Sequence, residues 1–432
     1  MSTSKKKSIL IKGGHVIDPS SSLDGVMDLL VQDGRIEDIS PQNGQNTPPD
    51  YEEINATGLW VLPGLADIHT HLREPGFEYK ETIATGTKAA VRGGFTAVCC
   101  MPNTQPVNDE PAITRYILKK ADADGACRVY PVGAITKGQK GETLAEMAAL
   151  AEAGCVAFSD DGNPVMDSLI MRRALEYSRI FGLPIVSHAE DTRLSEEGVM
   201  NEGITATRLG LRGIPNAAED VMVARDIALC ELTKGRLHVA HVSTRGSIRL
   251  IREAKSRGLP VTAETCPHYF TITEEAVAGF NTAAKVNPPL RSKQDVAAVC
   301  EGLTDGTIDV IATDHAPHHR EEKAMGFDNA PPGISGLETA LSLSLRLVSK
   351  GVIDLNRLVE LMSVNPCGIM SIPTRKIAKG VDANLVIIDP ELEWEVAPDL
   401  FVSLGKNTPF ESLRLKGRVV KTIVYGDVIE CL

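Results

Sequence analysis

Between residues 61 and 372 of the 432-residue chain, short apolar runs alternate with segments of helical period. FTAVCCMPNT (95–104) precedes PAITRYILKKADA, CRVYPVGAIT (127–136) precedes TLAEMAALAEAG, and CVAFSDDG (155–162) precedes SLIMRRALEYSRIFG. LPIVSHAE, RLHVAHVS, LPVTAETCPHYF and IDVIATDHAPHH continue the series, each ahead of another helical stretch. Continuous apolar strands are buried on both faces, and their alternation with helices specifies a parallel sheet with the helices outside. Seven or eight such units predict an α/β fold, a (β/α)8 TIM-type barrel, with its working groups at the C-terminal ends of the strands. A doubly wound open sheet is the alternative, but no glycine-rich dinucleotide fingerprint follows the first strand.

The two ends of the chain have another rhythm. SILIKGGHVI, VMDLLVQDG and RIEDIS near the N-terminus, and ANLVIIDP, EWEVA and GRVVKTIVYGD near the C-terminus, are short alternating runs broken by Gly, Asp and Pro. They predict a small composite β-sandwich built from both termini. Its N-terminal part is expected in 1–60 and its C-terminal part in 373–432, with the barrel over 61–372.

Composition changes this picture little. Hydrophobic residues make up 43% and charged residues 24%, ordinary for a globular protein. A net charge of −12 argues against nucleic acid as a partner, because phosphate binding needs a basic patch. Nine cysteines without regular spacing read as buried free thiols in a reducing compartment. The segment behind Lys5–Lys7 is too short for a signal peptide, and no run approaches the roughly 18 apolar residues of a membrane span. The expected location is cytoplasmic.

Candidate chemistry gathers where the strands should end. In DIHTHLREPG (67–76), a strand would place Asp67, His69 and His71 on one face, and two imidazoles so spaced can grip one metal ion. Asp160 and Asp161 close the next polar-ended strand, followed by His188, His241 and Asp314 on later ones. Taken singly, each has a structural reading: His188 as a hydrogen-bonded core histidine, Asp160–Asp161 as a turn or N-cap, Asn103 as a turn residue. His238 shares a strand with His241 at opposite parity and reads as structural. Taken together, four histidines and two carboxylates on one rim suffice for two divalent ions with one carboxylate bridging. Such ions would lower the pKa of a shared water and polarise a carbonyl. Asp314 is placed to shuttle a proton to a leaving nitrogen, and Arg73 to fork onto a substrate carboxylate. Asn103 and Asn287 end other strands and offer further polar contacts. The long polar loop Ala316–Gly336 is expected to act as a lid.

DIHTHLREPG, MPNT, FSDDG, SHAE, AHVS, ETCPHY, VNPPLR and TDHAPH occur in that order. In these motifs, and over almost its whole length, the chain resembles the dihydroorotases of the amidohydrolase superfamily. Related allantoinases and dihydropyrimidinases generally carry a bridging carboxylated lysine. Gly154–Pro164 contains no lysine, so FSDDG looks like the aspartate-bridged bacterial type. The resemblance implies reversible closure of N-carbamoyl-L-aspartate to L-dihydroorotate with loss of water, in pyrimidine biosynthesis. It implies one or two Zn2+ on His69, His71, Asp161, His188, His241 and Asp314, with Asp161 bridging and Asp314 also the general acid/base. It selects Asp161 over Asp160, a choice the residues alone leave open. Substrate contacts are implied for His71, Arg73, Asn103, Asn287, His318, Pro332 and Gly333, with Arg73, Asn103 and His318 on the α-carboxylate and Asn287 on the ring or carbamoyl part. Where the family usually has Phe-Gly before GLET, this chain has Pro332-Gly333. A homodimer is the family-based expectation, and association with aspartate transcarbamoylase is compatible with it. The nearest rival is another cyclic amidase, against which the absent lysine and the NPPLR segment count. A non-catalytic scaffold would be expected to have lost ligands, and all six are present.

Overall fold

The computed structural model describes residues 8–41 and 50–432; the Lys5–Lys7 cluster lies outside the described residues. Eight parallel strands form the barrel. Leu65–Thr70, Phe95–Cys100 and Arg128–Pro131 make one arc, and Phe158–Ser159, Ile185–Ser187, Leu237–Val239, Val261–Thr265 and Val310–Ile311 the other. Parallel bridges from Gly133 to Phe158 and from Thr70 to His315 join the arcs at both seams, which closes the cylinder.

Each strand leads to a helix on the outside, from Ile83–Arg92 after the first to Ala340–Ser349 after the eighth. The helix Arg245–Ser256 illustrates why. Ile248, Ile251 and Ala254 recur at helical spacing and are buried, while the Thr244 hydroxyl accepts the Ser247 amide at 3.1 Å and caps the start. The barrel interior is filled by Ala66, Ile68, Ala97, Cys99, Val132, Ala157, Val186, Ala240, Val310 and Ala312, with Cys367, Met370 and Ile372 packed against them.

Both ends of the chain meet in one eight-stranded sheet. Leu385–Ile388 pairs antiparallel with Trp60–Pro63, which pairs parallel with Ser8–Asp18. Strand alternation then serves two cores: Leu385 and Ile387 join Ile11, Leu29 and Ile36 in the sandwich, whereas Val386 and Ile388 join Val91 of the barrel's first helix. The apolar run preceding the DIHTH motif is therefore divided at Gly64, with Trp60–Pro63 in the sandwich and Leu65–Thr70 in the barrel. A Cβ on Gly64 would lie 2.4 Å from the Thr96 side chain, so only glycine passes here without displacing its neighbour. We place the junction of the two domains at Gly64, and at the other end between Ile372 and Ile377, which pack into different cores. No helix among the described residues is long and apolar enough to cross a membrane.

Candidate active site

The strand ends converge as the barrel requires. Asp161 lies at the centre: its Oδ1 is 3.3 Å from His69 Nε2, 3.3 Å from His241 Nε2 and 3.5 Å from His188 Nδ1. Its Oδ2 is 3.4 Å from His71 Nε2. Asp314 Oδ1 lies 3.1 Å from His71 Nε2 and 3.6 Å from His69 Nε2. All six side chains are buried. Two potential ligand triads result, His69–His71–Asp161 and Asp161–His188–His241, with Asp161 in both. Asp160 faces elsewhere, its carboxylate accepting the amides of Ile135 and Thr136 at 2.8 and 3.0 Å. Asp67 likewise turns to Thr313 and the His69 amide. The ladder shifts register between Asp67 and Thr70, so simple alternation does not hold through the DIHTH segment.

Backbone strain collects at the same place. Arg73, His241 and Asp314 have φ of 64°, 36° and 46°, a left-handed region that costs non-glycine residues on the order of 1–3 kcal/mol each. Surrounding structure holds them there, and each presents its side chain to the same rim.

Hydrogen bonds on the outer nitrogens decide what the rings offer inward. His71 Nδ1–H donates to Asn103 Oδ1 at 2.8 Å, His69 Nδ1–H to Glu264 Oε1 at 2.5 Å, and His188 Nε2–H to Glu190 Oε2 at 3.0 Å. Each ring then turns its other nitrogen toward the Asp161 and Asp314 oxygens. His69 Nε2 is buried without a hydrogen-bond partner. With one proton on each ring, nitrogen lone pairs and carboxylate oxygens that converge in this way repel one another unless a cation or a further proton lies between them. Tetrahedral ligands at zinc bond lengths stand about 3.3 Å apart, close to the separations around Asp161. The donor set therefore fits divalent metal. Burial works against charge on His69, yet Asp161 and Glu264 outweigh it and hold the imidazole well above its ordinary value, as expected of a cavity shaped for positive charge.

Over this cluster is a cavity of about 230 Å³. His71, Arg73, Asn103, Asn287, His318, Pro332 and Gly333 all line it, together with Asp161, His188, His241 and Asp314. A larger open groove of about 650 Å³ shares Val286, Asn287 and Pro332 with it and is lined by no member of the two triads. Arg73 reaches over the cavity, its Nε donating to the Pro317 carbonyl at 3.3 Å. Burial together with Arg73, Lys80 and Lys323 pushes the His318 imidazole down to about 2, so it is neutral. Its Nε2–H donates to Pro332 O at 2.9 Å, which leaves Nδ1 to accept from Lys80 Nζ at 3.4 Å. Pro332 thus contributes its carbonyl, a contact that does not need an aromatic side chain. Gly333 has φ 148°, and a Cβ there would meet Ala316 O at 2.6 Å.

The loop Ala316–Gly336 is tied down at both ends. Asn407 Nδ2 donates to Ala316 O and Gly333 O at 3.0 and 2.9 Å, and its Oδ1 accepts the His318 amide. Lys323 Nζ donates to Pro331 O at 2.9 Å and approaches Gly333 O at 3.3 Å. Burial, with Lys285 alongside, pushes this lysine down to about 7. From about pH 7 up to the unfolded value near 10.4, the unfolded chain binds a proton that the folded chain has released. Stability therefore gains from rising pH across that window. Lys323→Met is expected to flatten the rise, read as the urea midpoint between pH 7 and 9; equal slopes in the two proteins would count against it.

Sequence reasoning overlooked three supporting residues. Glu264 is the penultimate residue of the strand Val261–Thr265 and holds both His69 and His238, the latter at 3.2 Å. His238, set aside as structural, thereby contacts the same carboxylate that orients His69. Glu190 and Asn407 carry no local signal beyond, for Glu190, its place two residues after His188.

A model of dihydroorotase-like proteins matches residues 58–247. Proteins named dihydroorotase from Geotalea daltonii and Geobacter metallireducens are 56% and 55% identical to this chain over 421 residues, covering 98% of it and 99% of each relative. Among solved structures, L-hydantoinase (dihydropyrimidinase) of Arthrobacter aurescens superposes with a TM-score of 0.88 at 26% identity, covering 98% of this chain and 96% of that one. A dihydropyrimidinase from Brevibacillus agri gives 0.84 at 25%, covering 98% and 95%. The structures share the barrel-and-sandwich amidohydrolase fold, and the far higher identity lies with the first group. On identity sustained across nearly the full length of both partners, the chain belongs to the dihydroorotase family.

Proposed function

We propose that the protein is a zinc-dependent dihydroorotase, which interconverts N-carbamoyl-L-aspartate and L-dihydroorotate plus water in pyrimidine biosynthesis. The observation that carries this reading is the pair of histidine–carboxylate triads sharing Asp161, at a cavity that Arg73 and His318 also line.

His69, His71, Asp161, His188, His241 and Asp314 would hold one or two divalent ions. When bound, these would acidify a water and polarise the ring amide carbonyl. The residues supply the rest. In the hydrolytic direction Asp314 takes a proton from the attacking water and returns it to the ring nitrogen as the C–N bond breaks. In the synthetic direction the side-chain carboxylate takes up one proton from solvent, and Asp314 takes a second from the carbamoyl nitrogen as that atom attacks the carboxyl carbon and passes it to the departing oxygen, which leaves as water. The strained backbone at Asp314 and the 3.1 Å contact with His71 keep its carboxylate over the cavity. Arg73, with neutral His318 beside it at 3.4 Å, receives the α-carboxylate. Asn103 holds His71 and lines the same cavity.

Arg73→Lys is expected to raise KM for dihydroorotate by roughly 10-fold or more, since hydrogen bonds to charged groups are worth about 1.5–3 kcal/mol. Metal content should stay unchanged. Steady-state kinetics with metal analysis on the same sample check this, and an unaltered KM would remove Arg73 from the substrate site.

The overall test is hydrolysis of dihydroorotate by purified protein alongside its zinc content, before and after chelation. Activity that is lost on chelation and restored by zinc is the expected result. Metal-loaded protein that ignores dihydroorotate but opens hydantoin or allantoin would favour the cyclic-amidase alternative, to which the hydantoinase folds point. A cytoplasmic location, a homodimer and association with aspartate transcarbamoylase belong to the same proposal. All nine cysteines are free, in keeping with the first, and chromatography with and without the transcarbamoylase tests the other two.

A further inference from the structure

Glu190 lines the outer groove, and one of its oxygens serves two partners. Oε2 accepts from His188 Nε2 at 3.0 Å and from Asn287 Nδ2 at 2.8 Å. A carboxylate has no proton to give, so both partners must turn a donor toward it. For His188 this selects the tautomer with the proton on Nε2, which leaves Nδ1 to face Asp161 at 3.5 Å and His241 at 2.8 Å. For Asn287 it settles the amide flip: the NH2 group is committed to Glu190, and the carbonyl oxygen Oδ1 is the atom left for the cavity that Asn287 lines. An acceptor at that position calls for an N–H on the ligand.

We propose that Glu190 is a positioning residue that sets, through one oxygen, both the ligand tautomer of His188 and the amide orientation of Asn287, so that the contact with the ring or carbamoyl part that the family resemblance implies for Asn287 is made by Oδ1 accepting an N–H. The inference rests on the dihydroorotase reading for the identity of that N–H, but not for the His188 arm. It predicts that metal retention and ureide recognition share one residue that contacts neither the ion nor the substrate.

The test compares Glu190→Leu, Glu190→Gln, Asn287→Ala and the double variant Glu190→Leu/Asn287→Ala. Zinc affinity is measured by chelator competition, and kcat and KM are measured for dihydroorotate. Glu190→Leu should lower zinc affinity by roughly 10–100-fold, the usual effect of losing a carboxylate behind a histidine ligand, and should raise KM at saturating zinc. Glu190→Gln should recover part of both, because its amide oxygen can accept from the same two donors. Asn287→Ala should raise KM and spare zinc affinity. In the double variant the KM increase should be no larger than in Asn287→Ala alone, while zinc affinity still falls.

Unchanged zinc affinity in Glu190→Leu would overturn the His188 arm, and full additivity of the two KM effects would overturn the Asn287 arm. If wild-type protein failed to turn over dihydroorotate, the functional reading would fall, and the zinc measurements would still decide the His188 arm. Active wild-type protein with silent Glu190 variants would sink the inference alone. Asn287→Ala leaves the Glu190–His188 contact in place and gives an answer even if Glu190→Leu folds poorly.

Discussion

Asp161→Ala is expected to lose nearly all bound metal and activity, whereas Asp160→Ala should keep its metal and lose stability. These neighbours differ because the chain turns between them. Asp161 touches four imidazoles. Removing it takes a donor from both triads and the negative charge that balances the ions, so affinity should fall by more than the roughly 100-fold that loss of an outer-shell partner can cost. The Asp160 carboxylate instead accepts two backbone amides and the Thr136 hydroxyl. Truncating it strands buried donors at about 1–3 kcal/mol each, a loss seen in the denaturation midpoint. Metal analysis and urea unfolding of the two variants read the difference directly. The opposite pattern, with metal lost from Asp160→Ala, would mean the bridging position is wrongly chosen.

Asp314→Asn should leave most of the metal in place and reduce turnover in both directions by about 10²–10⁴-fold, the usual scale of a general acid/base. Asparagine preserves the shape and an oxygen that can face the His71 ring, but it cannot accept the proton that must pass between water and nitrogen. Because one proton serves both directions, hydrolysis and ring closure should fall by the same factor. Turnover within 10-fold of wild type would assign the proton transfer to another group. Loss of metal without a separate effect on turnover would make Asp314 a ligand only.

Much of the architecture was legible in the order of residues. The barrel could be read because a strand buried on both faces needs an apolar run and an outer helix needs an apolar stripe, and both are properties of short segments. The candidate ligands could be read because each ends such a strand, where a barrel gathers them. The sandwich was readable only as a character shared by the two ends. That Leu385 pairs with Pro63, 322 positions away, and Trp60 with His15, 45 positions away, depends on contacts between segments that no local pattern links.

What the sequence determined by itself is therefore which residue types stand at which strand ends, together with the strand–helix rhythm that delivers them to one rim. Only the tertiary structure decided how those groups are aimed. It turned Asp161 inward and Asp160 outward, divided an apolar run at Gly64, and brought Glu264 onto His69 and Glu190 onto both His188 and Asn287. Aim depends on local φ, ladder shifts and partners from distant strands, and none of these is encoded by the spacing of residues within one segment.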